Sequence, residues 1–89
     1  MSSADLVRMA NQIAANFRHL GAEEAAGLTA GHIRSFWAPP MRADLLQVAR
    51  SGEAQLDEIV VAALRILDPG AEIPDVRTPA PADLGAAGR

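Results

Sequence analysis

Residues 31–42 read GHIRSFWAPPMR, and this stretch decides how the chain folds. It contains the single tryptophan, Trp37, and then runs into two adjacent prolines, Pro39 and Pro40. Because proline lacks a backbone N–H and biases the preceding residue away from helix, a helix arriving from His32 is predicted to end near Trp37 or Ala38. Proline is also favoured at the first position of a helix, so Pro40 is predicted to open the next one. The stretch is therefore a corner between two helices.

The corner places two large aromatic side chains, Phe36 and Trp37, next to each other at a helix junction. Rigid rings in such a place serve either as part of the protein's own core or as anchors that fill a pocket in a partner. The residues alone leave both uses open. Arg34 and Arg42 flank the rings, so a partner bound here would meet positive charge.

Upstream of the corner, apolar residues at spacings of three and four predict two helices. The first is predicted to begin at a serine cap, Ser2 or Ser3, and to end at Gly21. The second is predicted over residues 22–37. Two internal glycines weaken it by roughly 1 kcal/mol each relative to alanine, so a break near Leu28 is the alternative.

The first helix carries polar side chains on the face opposite its apolar stripe. Asn11 lies on that face, and Gln12 follows it. Such amides are either hydrated or donate hydrogen bonds to a partner's backbone, and the sequence leaves both possibilities open. The apolar stripe itself consists of Leu6, Met9, Ala10, Ile13, Phe17 and Leu20.

Downstream of the corner, a third helix is predicted over residues 40–50 and is closed by Gly52. A fourth helix is predicted to follow at once. Its apolar stripe runs from Leu56 to Leu67 and is broad enough for contact on two sides. We therefore expect this helix to pack on its own bundle and on a neighbour.

The fold predicted from these patterns is all-α, a small bundle of three to four short helices in residues 1–68. From Pro69 onward the composition changes to Pro, Ala and Gly with scattered charge, which predicts a flexible or extended tail over residues 69–89. A short docked stretch around Ile73 is the alternative. No internal repeat and no strand-like alternation is present in the sequence.

Composition limits the core and the partners of this chain. Its 89 residues form one domain at most, and many of the apolar ones are alanine, so the core must be thin. The net charge of −3 argues against a general nucleic-acid binder, whose phosphate contacts require clustered basic residues. The chain has no cysteine, no apolar signal core and no run near the roughly 20 apolar residues that span a bilayer. We expect a cytoplasmic protein that binds neither nucleic acid nor membrane.

Recognisable catalytic motifs are missing from the sequence. It has no glycine-rich phosphate loop, no cysteine pair and no serine in a nucleophile elbow. His19 and Glu23 have the four-residue spacing of two metal ligands on a helix, but Gly21 interrupts it and a third ligand is lacking. We expect no enzyme activity from this chain on its own and no metal or cofactor bound by it.

Two segments resemble the delta subunit of soluble NAD-dependent formate dehydrogenase, a family of small proteins found beside a molybdenum or tungsten catalytic subunit. They are LVRMANQIAANF at residues 6–17 and HIRSFWAPPMRADLL at residues 32–46. The second is the more specific, because its order of His, Arg, Phe-Trp, Pro and Met-Arg at fixed spacing seldom arises by chance. The chain departs from the family pattern at Pro40, where a basic residue is common.

The resemblance implies a non-catalytic subunit that docks on the large molybdopterin-containing catalytic subunit and supports its assembly, stability or cofactor loading. Molybdopterin with Mo or W, the iron–sulfur clusters, FMN and NAD are implied to belong to other subunits. The positions that match the family pattern are the implied partner-binding residues. They are Met9, Asn11, Gln12, His32, Arg34, Phe36, Trp37, Pro39, Met41 and Arg42.

Two other hypotheses stay open at this point. The chain is a transient chaperone if it holds the cofactor-free large subunit and then leaves. It is an unrelated helical interaction module if both matching segments are coincidence. Retention in the mature, active complex would exclude the transient chaperone.

Overall fold

Four α-helices make up the part of the protein that the computed structural model describes, residues 2–52 and 54–74. No strand occurs in these two ranges, which confirms the predicted all-α class. The predicted tail over residues 69–89 is described only as far as residue 74, and residues 75–89 lie outside the described part. The helices are α1 (Ser3–Phe17), α2 (Ala22–Phe36), α3 (Pro39–Ser51) and α4 (Glu58–Leu67), with a 3-10 turn at Arg18–Leu20.

The two ends of the first helical stretch follow the predicted signals. The Ser2 hydroxyl accepts a hydrogen bond from the Asp5 backbone N–H at 3.1 Å, so Ser2 is the cap of α1. The Arg8 guanidinium, 3.0 Å from Asp5 Oδ1, together with the Ser2 hydroxyl, holds the pKa of the Asp5 carboxyl below its usual value. The stretch ends at Gly21, whose φ of 97° favours glycine.

At the corner, α2 ends at Phe36, one residue before its predicted end. Helix α2 runs unbroken through both of its glycines, so the alternative break near Leu28 does not occur. Trp37 then leaves the helix with φ −97° and ψ 136°. The prediction that α3 opens at Pro40 was wrong by one residue, since the helix begins at Pro39. Both prolines fit in its first turn because the N–H groups there have no intrahelical partner.

Helix α2 contributes the most buried residues before the corner. It packs most extensively against α4, while α1 contacts α2, α3 and α4. One face of α2 is buried against these neighbours. Most of its residues are small, so α2 approaches its neighbours closely. The buried residues of α2 and the corner are Ala25, Ala26, Thr29, Ala30, Ile33 and Trp37.

The start of α4 differs from the prediction that this helix follows Gly52 at once. The helix begins only at Glu58, because Asp57 caps it, with Oδ1 accepting from the Ile59 N–H at 2.8 Å. Leu56, predicted as the first residue of the helical stripe, lies buried immediately before the cap. The chain between α3 and α4 is therefore a connection that contributes its own apolar residue to the core.

The chain after α4 folds back onto the bundle as far as it is described. Ile73 is only 7% exposed and belongs to the core cluster. Its carbonyl oxygen accepts a hydrogen bond from Arg65 Nη2 at 2.8 Å, which ties this stretch to α4. The docked stretch that the sequence left as an alternative is thus present around Ile73.

Candidate functional site

The residues singled out by the resemblance lie in two places on the fold. Met9, Asn11 and Gln12 belong to α1, whereas the other seven lie between residues 32 and 42 at the corner of α2 and α3. The two places differ in what their side chains contact.

The aromatic pair at the corner is divided between the core and the surface. Trp37 is 6% exposed and belongs to the core cluster, whereas Phe36 is 74% exposed. Consecutive side chains of a helix diverge by about 100°, and Trp37 follows the buried Ile33 by four residues, so the two lie on one face. Phe36 is left on the outside. The structure therefore assigns Trp37 to the core and leaves Phe36 available to a partner.

Phe36 ends a row of side chains along α2, which we name the α2 ridge: Leu28 and Phe36 are exposed, and His32 between them is half-buried. Leu28 is 41% exposed, and the rings of His32 and Phe36 lie 4.7 Å apart between centroids, tilted by 38°. A Cβ atom added at Gly27 or Gly31, beside the ridge, would meet no atom within 4 Å. The glycines of α2 are therefore not required for close packing among the described residues.

Two arginines, Arg34 and Arg42, lie close to the ridge residues in sequence. Arg34 is exposed and Arg42 is half-buried. Neither guanidinium has an ion-pair or hydrogen-bond partner among the described residues. Of the remaining corner residues, Pro39 is exposed and Met41 packs partly buried against the core. The corner thus presents exposed apolar surface beside unpaired positive charge.

A small cavity opens beside the corner, between the start of α3 and the end of α4, and we name it the corner cavity. Its volume is about 240 Å³. Most of its wall is apolar, with one basic and one acidic residue. The lining residues are Pro39, Arg42, Ala43, Leu46, Leu64, Leu67 and Asp68.

On α1, Asn11 binds its own chain. Its Nδ2 group donates to the Gln55 carbonyl at 3.0 Å, and its Oδ1 accepts from the Asp57 N–H at 2.9 Å. Arg18 donates to Asp57 Oδ2 on the same side of the helix. The face predicted to be hydrated or partner-binding therefore holds the connection before α4. An Asp followed by an apolar run signals a helix cap in the sequence, but its pairing with Asn11, 46 residues away, does not show there.

The other two α1 residues differ in their contacts. Met9 packs partly buried against the core, whereas Gln12 is exposed. Gln12 lines a shallow, open groove of about 840 Å³ together with Val7 and Val48. The groove runs along α1 beside the end of α3.

We expect Asn11→Ala to lower the free energy of unfolding by about 1–2 kcal/mol, because it leaves the Asp57 N–H and the Gln55 carbonyl without their partner. Asn16→Ala is the matched control, since Asn16 is an exposed asparagine of the same helix and gains the same helix propensity. Urea denaturation followed by circular dichroism measures both variants. Equal stabilities of the two would contradict a structural role for Asn11.

The two described ranges contain neither a group of metal ligands nor a membrane-spanning helix. Within residues 2–52 and 54–74, no three His, Cys, Asp or Glu side chains are grouped as a metal site requires. His19 lies in the 3-10 turn and Glu23 in α2, on either side of Gly21. No helix in these ranges combines the length and apolar character needed to cross a bilayer.

One comparison with known proteins gives a match. A family model described as the NADH-dependant formate dehydrogenase delta subunit FdsD matches residues 5–64. The matched span includes every residue singled out above by resemblance, and it extends from the first turn of α1 into α4. No curated protein and no solved structure matches the chain.

Proposed function

This chain belongs to the family of NADH-dependent formate dehydrogenase delta subunits, and we propose that it acts as a non-catalytic accessory subunit docked on the large catalytic subunit. It supports assembly, stability or cofactor loading of that subunit in the cytoplasm. Other subunits of the complex hold molybdopterin with Mo or W, the iron–sulfur clusters, FMN and NAD. Neither nucleic acid nor membrane is part of this function.

The exposure of Phe36 is the observation that supports docking most directly. A ring that is 74% exposed leaves apolar surface in water, although the chain has few aromatic residues with which to build a core. Aromatic and arginine side chains are enriched at protein interfaces and among the residues that dominate binding energy. Arg34 and Arg42 lie near Phe36 along the chain and have no partner within the described residues.

The proposed docking surface is the α2 ridge with the residues around it. His32 and Phe36 provide apolar and aromatic contact area, while Arg34 and Arg42 provide charge. The other residues implied by the resemblance act indirectly. Trp37 and Met41 support the corner from the core side, and Asn11 holds the connection before α4.

Copurification tests this function. We would tag the chain at its C-terminus, purify it from its native host under mild conditions, and measure the copurifying subunits, their stoichiometry and their Mo or W content. Equal amounts of this chain and a metal-loaded, formate-oxidising enzyme are the expected result. Capture of a metal-free large subunit alone would instead identify a transient chaperone. Absence of any formate dehydrogenase subunit would overturn the proposed function.

A further inference from the structure

We propose that the corner cavity receives one large apolar side chain of the catalytic subunit, with a carboxylate next to it that pairs with Arg42. This inference rests on the proposed function and adds the chemistry of the segment that binds. The docking surface then includes a cavity that receives a side chain of the partner, in addition to the exposed Phe36 ring.

The size and walls of the cavity suit a side chain. At about 240 Å³ it falls below the range of roughly 300–1,000 Å³ typical of small-molecule sites. Leu46, Leu64 and Leu67 contribute apolar wall from two different helices. An aliphatic or aromatic side chain that enters it removes apolar surface of both proteins from water.

The cavity is held open by the core. Leu64 is 2% exposed, and Leu46 and Leu67 pack partly buried against the same core cluster. Pro39 is fixed in the first turn of α3, where its ring limits the backbone. A cavity whose walls belong to helices that pack on the core loses little conformational freedom when it is filled, which favours binding.

Two charged residues line the cavity, and they indicate which residues of the partner should flank the inserted side chain. Neither the Arg42 guanidinium nor the Asp68 carboxylate has a hydrogen-bond or ion-pair partner in the described ranges. A guanidinium binds a carboxylate through two parallel hydrogen bonds. Asp68 is an acceptor only, so it fits an N–H donor or a cation. The expected segment therefore has an acidic residue on the Arg42 side and a donor on the Asp68 side.

A second copy of this chain fits less well. Its exposed aromatic side chain is Phe36, and the nearest charge to it along the chain is Arg34. No acidic residue lies between Glu24 and Asp44, so insertion of Phe36 from a second copy would bring no neighbouring carboxylate to Arg42. The catalytic subunit is favoured because it is the partner in the proposed function and, unlike Phe36 of a second copy, can supply an apolar side chain with an acidic neighbour.

Filling the cavity from its own wall tests the inference. Ala43 is exposed and lines the cavity, so Ala43→Leu places a side chain there without removing any core atom. Gln47→Leu is the matched control, because it adds the same side chain one turn later on α3, outside the cavity. We would coexpress each variant with differently tagged wild-type chain and the other formate dehydrogenase subunits. Mass spectrometry of the assembled complex then gives the ratio of variant to wild type.

Ala43→Leu is expected to bind about 30-fold less than wild type, while Gln47→Leu stays within about 3-fold. Arg42→Glu is expected to lower the affinity for the complex by about 10-fold or more relative to Arg50→Glu. Arg50→Glu is the control, because Arg50 lies on the same helix outside the cavity. Thermal unfolding of each isolated variant shows that it is folded. A misfolded variant is replaced by Ala43→Met, which fills the same space.

If the Ala43→Leu variant enters the complex as well as the wild-type chain does, the cavity inference is overturned and the proposed function stays intact. Failure of the wild-type chain to enter the complex would overturn the proposed function itself. The chain's own residues 75–89 include Leu84 beside Asp83, which have the same chemistry. If Ala43→Leu shifts the NMR methyl signals of Leu84 in the isolated chain, the tail is the occupant and the inference is overturned.

Discussion

Replacement of Trp37 by alanine is expected to lower the free energy of unfolding by about 3–5 kcal/mol. Trp37 is 6% exposed and belongs to the same buried cluster as Ile33 of α2 and Leu64 of α4. Its removal leaves a cavity at the centre of a thin core. Small domains have only about 5–15 kcal/mol of total stability, so the variant should be close to unfolding at room temperature. Urea denaturation followed by circular dichroism measures the effect.

The neighbouring Phe36→Ala variant is the matched control for stability. Both changes remove an aromatic ring at the corner, but Phe36 is 74% exposed and its removal opens no core cavity. We expect the unfolding free energy of Phe36→Ala to stay within about 0.5 kcal/mol of wild type. Equal stability of the Trp37→Ala variant and wild type would contradict the assignment of Trp37 to the core, and its role as an interface anchor would then be the better explanation.

The second large effect concerns binding. Phe36→Ala is expected to weaken docking on the catalytic subunit by at least about 2 kcal/mol, which is roughly 30-fold in affinity. The reason is that Phe36 combines a large apolar area with an exposed position on the α2 ridge, close in sequence to two unpaired arginines. Competition between the variant and tagged wild type in the coexpressed complex gives the affinity ratio directly.

Leu20→Ala is the matched control for binding. Leu20 is another exposed large apolar residue, 39% accessible, but it lies in the 3-10 turn outside the ridge. We expect its removal to change the affinity by less than about 3-fold. Losses of the same size for Leu20→Ala and Phe36→Ala would show that exposed apolar area in general, and not the ridge, is responsible. An unchanged affinity of Phe36→Ala would remove the ridge from the docking surface.

The candidate site could be predicted from sequence only in part. The order of residues at the corner pointed to the family, and the family match covers that segment. Sequence reasoning could not say which of two adjacent rings faces outward, because the helix ends between them and its last turn decides the direction. It also placed Asn11 on an open face, although Asp57 and Gln55 use both of its polar groups.

Local signals in the sequence determined the helices and most of their ends. The Ser2 hydroxyl caps a helix three residues away, the two prolines remove N–H groups, and Gly21 and Gly52 adopt positive φ where other residues are strained. Each of these effects acts within one turn of chain. Residue order alone therefore sufficed to predict four helical segments and a corner between the second and the third.

Only the tertiary structure determined which segments distant in sequence contact each other. The late start of α4 depends on Asn11, which binds the backbone at Asp57 from 46 residues away. The docking of Ile73 depends on Arg65, and the corner cavity depends on how α3 and α4 pack. Such contacts join segments whose approach is set by the packing of the whole core. The sequence thus determined the helices and the family, whereas the packed bundle decided that Trp37 is core and Phe36 is surface.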